Sequence, residues 1–294
     1  MKLQEYFVGK MLRRFEKSDA EKLAGKALPA GVTAQKDIPY CNDNVRGHLL
    51  DVYWPEIIDH KLPVVIDIHG GGFMSSYKEL NRLFGYHLAK RGFLVFNLNY
   101  RLAYYDTKVP GLIGDIAMAT HWISEHLEQY NGDRGKVFLS GHSAGGVLAV
   151  MEALIAGNLR IRQLFQIADG GFERYQGLVL DCGMMFFYKK SIGYWGMRTM
   201  CFDKDYQKQA YYQNMIWNQI PEIRSLPKTF LISNAKDELR QMTLDFQKVL
   251  EQNHIEHTMN FQAGKALGHM AVIYDPGLTE CSEILDEMTA YLLN

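Results

Sequence analysis

The segment from Val137 to Leu154 restricts the fold more than any other part of the chain. The apolar run Val137-Phe138-Leu139 leads into Gly141-His142-Ser143-Ala144-Gly145-Gly146, and a helix-like run from Val147 to Leu154 follows at once. A strand that turns directly into a helix needs glycine around the turning residue, because the two elements approach closely there and the backbone is strained. Ser143 is that residue, within a G-x-S-x-G pentapeptide, and its hydroxyl would point away from both elements. Three fixed positions are weak evidence alone, and a glycine-rich connection without chemistry is the plain alternative. The remaining sequence has to decide between them.

Hydrophobic periodicity gives a consistent frame. Gly47 to Trp54 alternates with period two and ends at Pro55, as an outer antiparallel strand would. Short apolar runs at Pro63–Ile68, Phe93–Leu98, Lys136–Leu139, Gly177–Asp181, Lys228–Ser233 and His257–Phe261 read as strands. Between them, Tyr77–Lys90, Leu112–Tyr130, Glu238–Asn253 and Glu280–Leu293 carry helical spacing, with Ile116, Ala119, Ile123 and Leu127 as an apolar row in the second. Strands alternating with helices predict an α/β class with a mostly parallel sheet and helices on both faces. No repeat or low-complexity tract interrupts residues 1–294, which are expected to form a single domain.

Two segments break the rhythm. Residues 1–35 read as one or two helices with an apolar stripe of Leu3, Tyr6, Phe7, Met11, Leu12 and Phe15. Residues 184–227 form an insertion between two strands and are crowded with aromatics and methionines, from Met184 to Trp217. Ligands of such folds bind at the carboxyl ends of the strands. The insertion, and with it the amino-terminal helices, is therefore expected to act as a small cap or as part of a substrate pocket. Ordinary core packing is the competing account for each aromatic taken singly. The amino-terminal stripe could cap the site or meet a second copy of the chain, so a homo-oligomer stays open.

Composition excludes several classes. A net charge of −1 leaves no basic footprint for nucleic acid. No apolar run approaches the length of a membrane span, and the amphipathic amino terminus lacks the core of a secretory signal. The four cysteines, Cys41, Cys182, Cys201 and Cys281, are far apart. They read as reduced thiols of a cytoplasmic protein, with metal binding by them not expected. No H-E-x-x-H or phosphate-loop pattern occurs, so neither metal nor cofactor is expected.

The residues that serine chemistry requires are present. A serine hydroxyl is a poor nucleophile at neutral pH and needs a histidine base, a carboxylate to hold the base, and donors for the developing oxyanion. Donors are suggested by His69-Gly70-Gly71-Gly72-Phe73, where three glycines follow a buried strand and leave backbone N–H groups bare. Asp237 lies just beyond one strand and before a helix, and a helix N-cap role is compatible with that place. Asp181 also ends a strand after Ser143 and is the lesser candidate, whereas Asp67 and Asp115 precede the serine and fit the chain order badly. His269 follows the last strand and precedes the final helix. His254 and His257 lie before or within that strand, and His142 is too near Ser143 to act on it.

With these residues in hand, the chain resembles the α/β-hydrolase superfamily, in the lipase/esterase branch that carries an H-G-G-G oxyanion loop and includes hormone-sensitive-lipase-like carboxylesterases. His69-Gly70-Gly71-Gly72-Phe73, Asn99-Tyr100-Arg101-Leu102, Gly141 to Gly146, Asp237 and His269 carry the resemblance in order, from about Leu49 onward. It implies an α/β-hydrolase fold of about eight strands, with Ser143 as nucleophile, Asp237 as acid and His269 as base. The N–H groups of Gly71, Gly72 and Ala144 would form the oxyanion hole, with His69 and Gly70 bracing the loop. His142 stands where many members have aspartate or glutamate; in this it is similar to acetyl-esterase-like, feruloyl-esterase-like and kynurenine-formamidase-like relatives. Asp237-Glu238-Leu239 departs from the usual D-x-L or D-P-L form. The expected substrate is a small or moderately apolar carboxylic ester. Amide cleavage with the same residues, or a non-catalytic receptor on this fold, are the alternatives.

Overall fold

The structure, a computed structural model, describes residues 3–103, 107–188, 192–264 and 267–294. Eight strands form one sheet: β1 (Val32–Pro39), β2 (Leu49–Pro55), β3 (Leu62–Ile68), β4 (Leu94–Leu98), β5 (Gly132–His142), β6 (Gly177–Asp181), β7 (Thr229–Asn234) and β8 (His257–Gln262). Their spatial order is β1-β2-β4-β3-β5-β6-β7-β8. The β1–β2 and β2–β4 pairs are antiparallel and every other pair is parallel. The helices are α1 (Leu3–Leu23), α2 (Arg82–Ala89), α3 (Val109–His126), α4 (Ala144–Gly157), α5 (Leu159–Leu164), α6 (Ile192–Cys201), α7 (Ala210–Gln213), α8 (Arg240–Gln252), α9 (Ala271–Tyr274) and α10 (Thr279–Leu293). No described helix is long and apolar enough to cross a membrane.

The central strands are apolar at nearly every position because both faces are covered. Val64, Ile66 and Ile68 of β3 and Leu94, Phe96 and Leu98 of β4 join the core with α3, α4 and α8. Val65 and Val95, which point the other way, pack with Phe84 of α2 and with Ile284, Leu285 and Met288 of α10. This alternation confirms the two-faced sheet expected from the sequence. The predicted strands all form, with ends shifted by a few residues.

One expectation fails at the amino terminus. Residues 1–35 are not helical throughout: α1 ends at Leu23 and β1 begins at Val32. The sequence Val32-Thr-Ala-Gln-Lys-Asp-Ile-Pro39 hides its strand because it lies at the sheet edge, is largely exposed, and breaks register between Gln35 and Ile38. Asp37 has φ 55° there. The bulge is tied down by Lys78, a buried ammonium 2.7 Å from Asp37 and 2.8 Å from Asp51. Of the predicted amino-terminal stripe, Met11 and Leu12 pack inward and Phe15 is half exposed; the side chains of Leu3, Tyr6 and Phe7 lie outside the described residues.

A buried carboxyl links α3 and α4 behind the turn at Ser143. Glu152 accepts hydrogen bonds from Thr120 Oγ1 (2.9 Å) and Tyr175 Oη (2.7 Å), while its other oxygen has no partner among the described residues. Burial pushes its pKa up to about 7, against the lowering effect of those two hydroxyls. The folded state thus holds a proton that the unfolded chain releases near the ordinary value of 4.5, and the associated stability is lost as pH rises through about 7. Glu152→Gln, which mimics the protonated acid, should raise the thermal unfolding midpoint by a few degrees at pH 8 and leave it nearly unchanged at pH 5. A scan of both proteins at the two pH values checks this.

Candidate active site

Ser143 sits alone between β5 and α4 with φ 51° and ψ −117°. A non-glycine residue in that region costs about 1–3 kcal/mol and persists only where its surroundings enforce it. Here the enforcement is backbone pairing to the next strand. Ser143 N–H donates to Asp181 O (2.9 Å), Met184 N–H donates to Ser143 O (2.8 Å), and Cys182 N–H donates to Ile232 O (2.9 Å). The flanking glycines are sterically required. A Cβ on Gly141 would meet Gly145 O at 2.5 Å, and one on Gly145 would strike the carbonyls of Ile68 and His69.

Three residues far apart in the chain meet at this turn. His269 Nε2 lies 3.0 Å from Ser143 Oγ, and His269 Nδ1 lies 2.8 Å from Asp237 Oδ1. Asp237 is fully buried and also accepts from Leu239 N–H (2.9 Å) and Ser233 Oγ (2.7 Å). Burial alone would raise its pKa; the hydrogen bonds from His269, Leu239 and Ser233 outweigh that and hold it below the usual carboxylate value. The loop carrying His269 is anchored by Asn234 Nδ2 donating to Gly268 O (2.7 Å) and by Met270 N–H donating to Cys182 Sγ (3.3 Å). His269 remains about a quarter exposed, so it faces both the serine and the cavity.

The Gly70–Gly72 loop follows β3 and closes against the same turn. Gly71 has φ 101° and Gly72 φ 61°, and the Gly71 carbonyl is occupied by Met74 N–H, Ser75 N–H and Ser75 Oγ. Ala144 opens α4, so its N–H is among those a helix cannot satisfy internally and lies at the positive end of the helix dipole. His69 stacks on Tyr100 with ring centroids 4.2 Å apart and bonds through Nδ1 to Gly70 O (2.7 Å). Burial pushes its pKa down to about 4, which keeps it neutral. Tyr100 Oη lies 2.9 Å from His69 O, so the Asn99-Tyr100-Arg101 segment supports the glycine loop from below.

Asp181 does not join the relay. Its carboxylate bonds to His142 Nδ1 at 3.0 Å, while His142 Nε2 lies 2.9 Å from Asp67 Oδ1 and 3.1 Å from Ser140 Oγ. All these groups are buried. Burial alone would depress the imidazole pKa, but Asp67 and Asp181 together raise it to about 9. His142 is therefore an imidazolium clamped between two carboxylates directly beneath Ser143, and Asp67, set aside on chain order, is part of it. Sequence reading missed this arrangement, because its signal lies in strand register rather than in linear spacing.

A cavity of about 440 Å³ opens over Ser143 and His269. Gly71, Gly72, Met74, Met184, Met197, Leu239 and Met270 line it, and α1 adds Met11, Leu12, Phe15, Asp19 and Lys22. The helix is fastened over the site by Asp19, which bonds Tyr274 Oη (2.7 Å) and Ser76 Oγ (3.3 Å), and by Lys26, which reaches Tyr274 O and Asp275. The contributions of Asp19, Lys22 and Tyr274 were also missed, since contacts between the two ends of a chain leave no local pattern. The aromatic segment 184–227 supplies Met184, Tyr194 and Met197 to the cavity, but Trp217 is buried in the core with Nε1 donating to Met185 O (2.6 Å).

The clamp makes a prediction. The His142 contribution to stability is full below its ordinary value of 6.5 and is lost as pH rises through about 9, because the folded state holds the proton more tightly. His142→Gln leaves two carboxylates buried without a cation and should cost about 3–5 kcal/mol, read as a lower denaturation midpoint at pH 6.5, with a smaller difference from wild type at pH 9.5.

Known proteins resemble the chain in part of its sequence and across its fold. The BD-FAE family model matches residues 50–175. The esterase LipI of Mycobacterium tuberculosis is 34% identical over 105 residues, which cover 35% of this chain and 32% of that protein. The chain thus matches about a third of the length of such curated relatives. Likeness of structure extends further. Esterase B from Lactobacillus rhamnosis superposes with a TM-score of 0.91 at 25% identity, covering 99% of this chain and 96% of that one, and its form inhibited by a C4-C4 tributyrin phosphonate matches equally well at 24% identity. An esterase from Pyrobaculum calidifontis aligns over 97% of this chain and 92% of its own with a TM-score of 0.75 at 23% identity. By its sheet order, its turn at Ser143 and these matches, the chain has the α/β-hydrolase fold and, over residues 50–175, is similar to the BD-FAE family and to known esterases.

Proposed function

We propose that this chain is a serine carboxylesterase that cleaves small or moderately apolar esters through an acyl-enzyme on Ser143. The observation that carries the reading is the unbroken relay of Ser143, His269 and Asp237 opening into one cavity. In this mechanism Ser143 Oγ attacks the ester carbonyl and His269 Nε2 takes its proton, while Asp237 holds the imidazole in the tautomer that leaves Nε2 free. The N–H groups of Gly71, Gly72 and Ala144 receive the oxyanion. Collapse expels the alcohol, protonated by His269, and a water activated by the same histidine then releases the acid.

The cavity supports the substrate class. Its walls are mainly thioether and aliphatic, with Met11, Leu12, Met74, Met184, Met197, Leu239 and Met270, and its volume suits a compact ester rather than a long lipid. Polar groups of Asp19, Lys22 and Glu238 also line it. In this reading α1 and the 184–227 segment together act as a cap on an otherwise single domain. The structural neighbour trapped with a tributyrin phosphonate is in keeping with a short acyl group. The four cysteines are unpaired, which suits a reducing compartment.

Ser143→Ala should lower kcat/KM for p-nitrophenyl butyrate by about 10⁴-fold or more, and a fluorophosphonate probe should label the native protein but not the variant. Residual turnover near the wild-type level in Ser143→Ala would overturn the assignment. Met11→Trp, which fills the cavity from α1, should shift the preferred acyl chain in a series from acetate to decanoate toward the shorter members, without lowering acetate turnover by more than a few fold.

A further inference from the structure

Away from Ser143, the turn joining β1 to β2 gathers a second set of reactive side chains. We propose that Cys41, Asp43 and His48 bind one divalent transition-metal cation, zinc by the character of the donors. The Cys41 sulfur, a carboxylate oxygen of Asp43 and a ring nitrogen of His48 all lie within 4.8 Å of one another. One thiolate, one carboxylate and one imidazole form a borderline-soft set that suits zinc, and their two negative charges balance a dication. Donors around a tetrahedral zinc stand about 3.3–3.8 Å apart, given metal–ligand bonds of about 2.0–2.3 Å. His48 Nδ1 and Asp43 Oδ2, now 2.6 Å apart, would open by about an ångström, and the sulfur, within 4.8 Å of both, would close by at most about an ångström. Cys41 is half-buried and Asp43 is partly exposed, which leaves the fourth position to water. On binding, the Cys41 thiol releases its proton to solvent as the sulfur–metal bond forms.

The surroundings hold these donors as a metal site holds its ligands. A ligating histidine commonly presents its second nitrogen to a carboxylate. His48 is almost fully buried, and its Nε2 faces Asp115 Oδ1 at 3.4 Å without a well-formed hydrogen bond, a separation that a small ring rotation closes. Asp115 is itself fixed by Arg101, through the backbone N–H (2.9 Å) and Nη2 (2.6 Å). Asp43 Oδ1 accepts from Val45 N–H (3.0 Å), which leaves Oδ2 to the cation. The turn is rigid: Tyr40 Oη lies 2.7 Å from Gly47 O, Asn99 Nδ2 donates to Arg46 O (2.9 Å), and a Cβ on Gly47 would lie 2.7 Å from Arg101 N. Such support distinguishes the cluster from a chance meeting of polar side chains. The spacing Cys41-x-Asp43-x₄-His48 lacks the paired cysteines that mark many zinc sites, so the sequence carries no local sign of it.

The test uses the full chain stripped of metal with a chelator and then titrated with zinc or cobalt(II). One equivalent of cobalt should produce a near-ultraviolet thiolate-to-cobalt charge-transfer band, and zinc should displace it. Zinc should raise the unfolding midpoint by a few degrees. Cys41→Ser should abolish the band and the zinc shift, and Asp43→Asn, at an exposed position, should weaken zinc binding by at least about tenfold. Ester turnover by metal-free Cys41→Ser should equal that of the metal-free wild type, which separates this proposal from the esterase reading. Absence of the cobalt band, or a band that persists in Cys41→Ser because Cys182 beside His269 supplies the thiolate, would overturn it.

Discussion

The arrangement around Ser143 depends on a buried cation held between two anions. His142 precedes the strained serine, and Asp67 and Asp181 grip its ring from the strands on either side of β5. Each carboxylate does a second job. Asp67 stands one residue before Ile68, which leads into the glycine loop, and receives Asn81 Nδ2 at 2.6 Å. The Asp181 backbone carbonyl receives the Ser143 N–H. One imidazolium thus sets the relative height of β3, β5 and β6 at the edge where the oxyanion loop, the serine and the Cys182 turn must coincide. Removing either partner of a buried pair is costly because the other charge stays behind, so this element is hard to replace piecemeal.

The central architecture was legible because each part is written locally. Apolar runs such as Val64–Ile68 and Gly177–Asp181 have no competing interpretation when helical patterns separate them. Gly70–Gly72, Ser143, Asp237 and His269 could be placed from their position relative to strand ends, without knowledge of which strands are neighbours. The structure brings Ser143, His269 and Asp237 together at hydrogen-bonding distances, with Gly71 and Gly72 lining the same cavity.

What could not be read depends on neighbours in space. His142 looked inert because its partners lie 75 and 39 residues away; only the pairing of β5 with β3 on one side and β6 on the other aligns them. β1 was lost because an edge strand interrupted by a bulge at Asp37 need not alternate. The place of α1 follows from Asp19 meeting Tyr274, a contact 255 residues long in sequence. The aromatic segment after Asp181 was legible as unusual, but its division between pocket wall and core was not: Met197 turns to the cavity while Trp217 does not.

The cavity wall carries a chemical consequence of its own. Five thioethers, those of Met11, Met74, Met184, Met197 and Met270, surround one serine. Unbranched and polarisable, they let the wall adapt to acyl groups of differing shape at little cost in strain. The same atoms accept oxygen readily, and each sulfoxide would turn an apolar surface polar. Met151, Met242 and Met288 are sealed within the packed faces of the sheet, whereas the cavity sulfurs border an opening, so peroxide should erode substrate binding before it erodes the fold. A reductase able to restore the thioethers would then matter more to this protein than any agent that protects its stability.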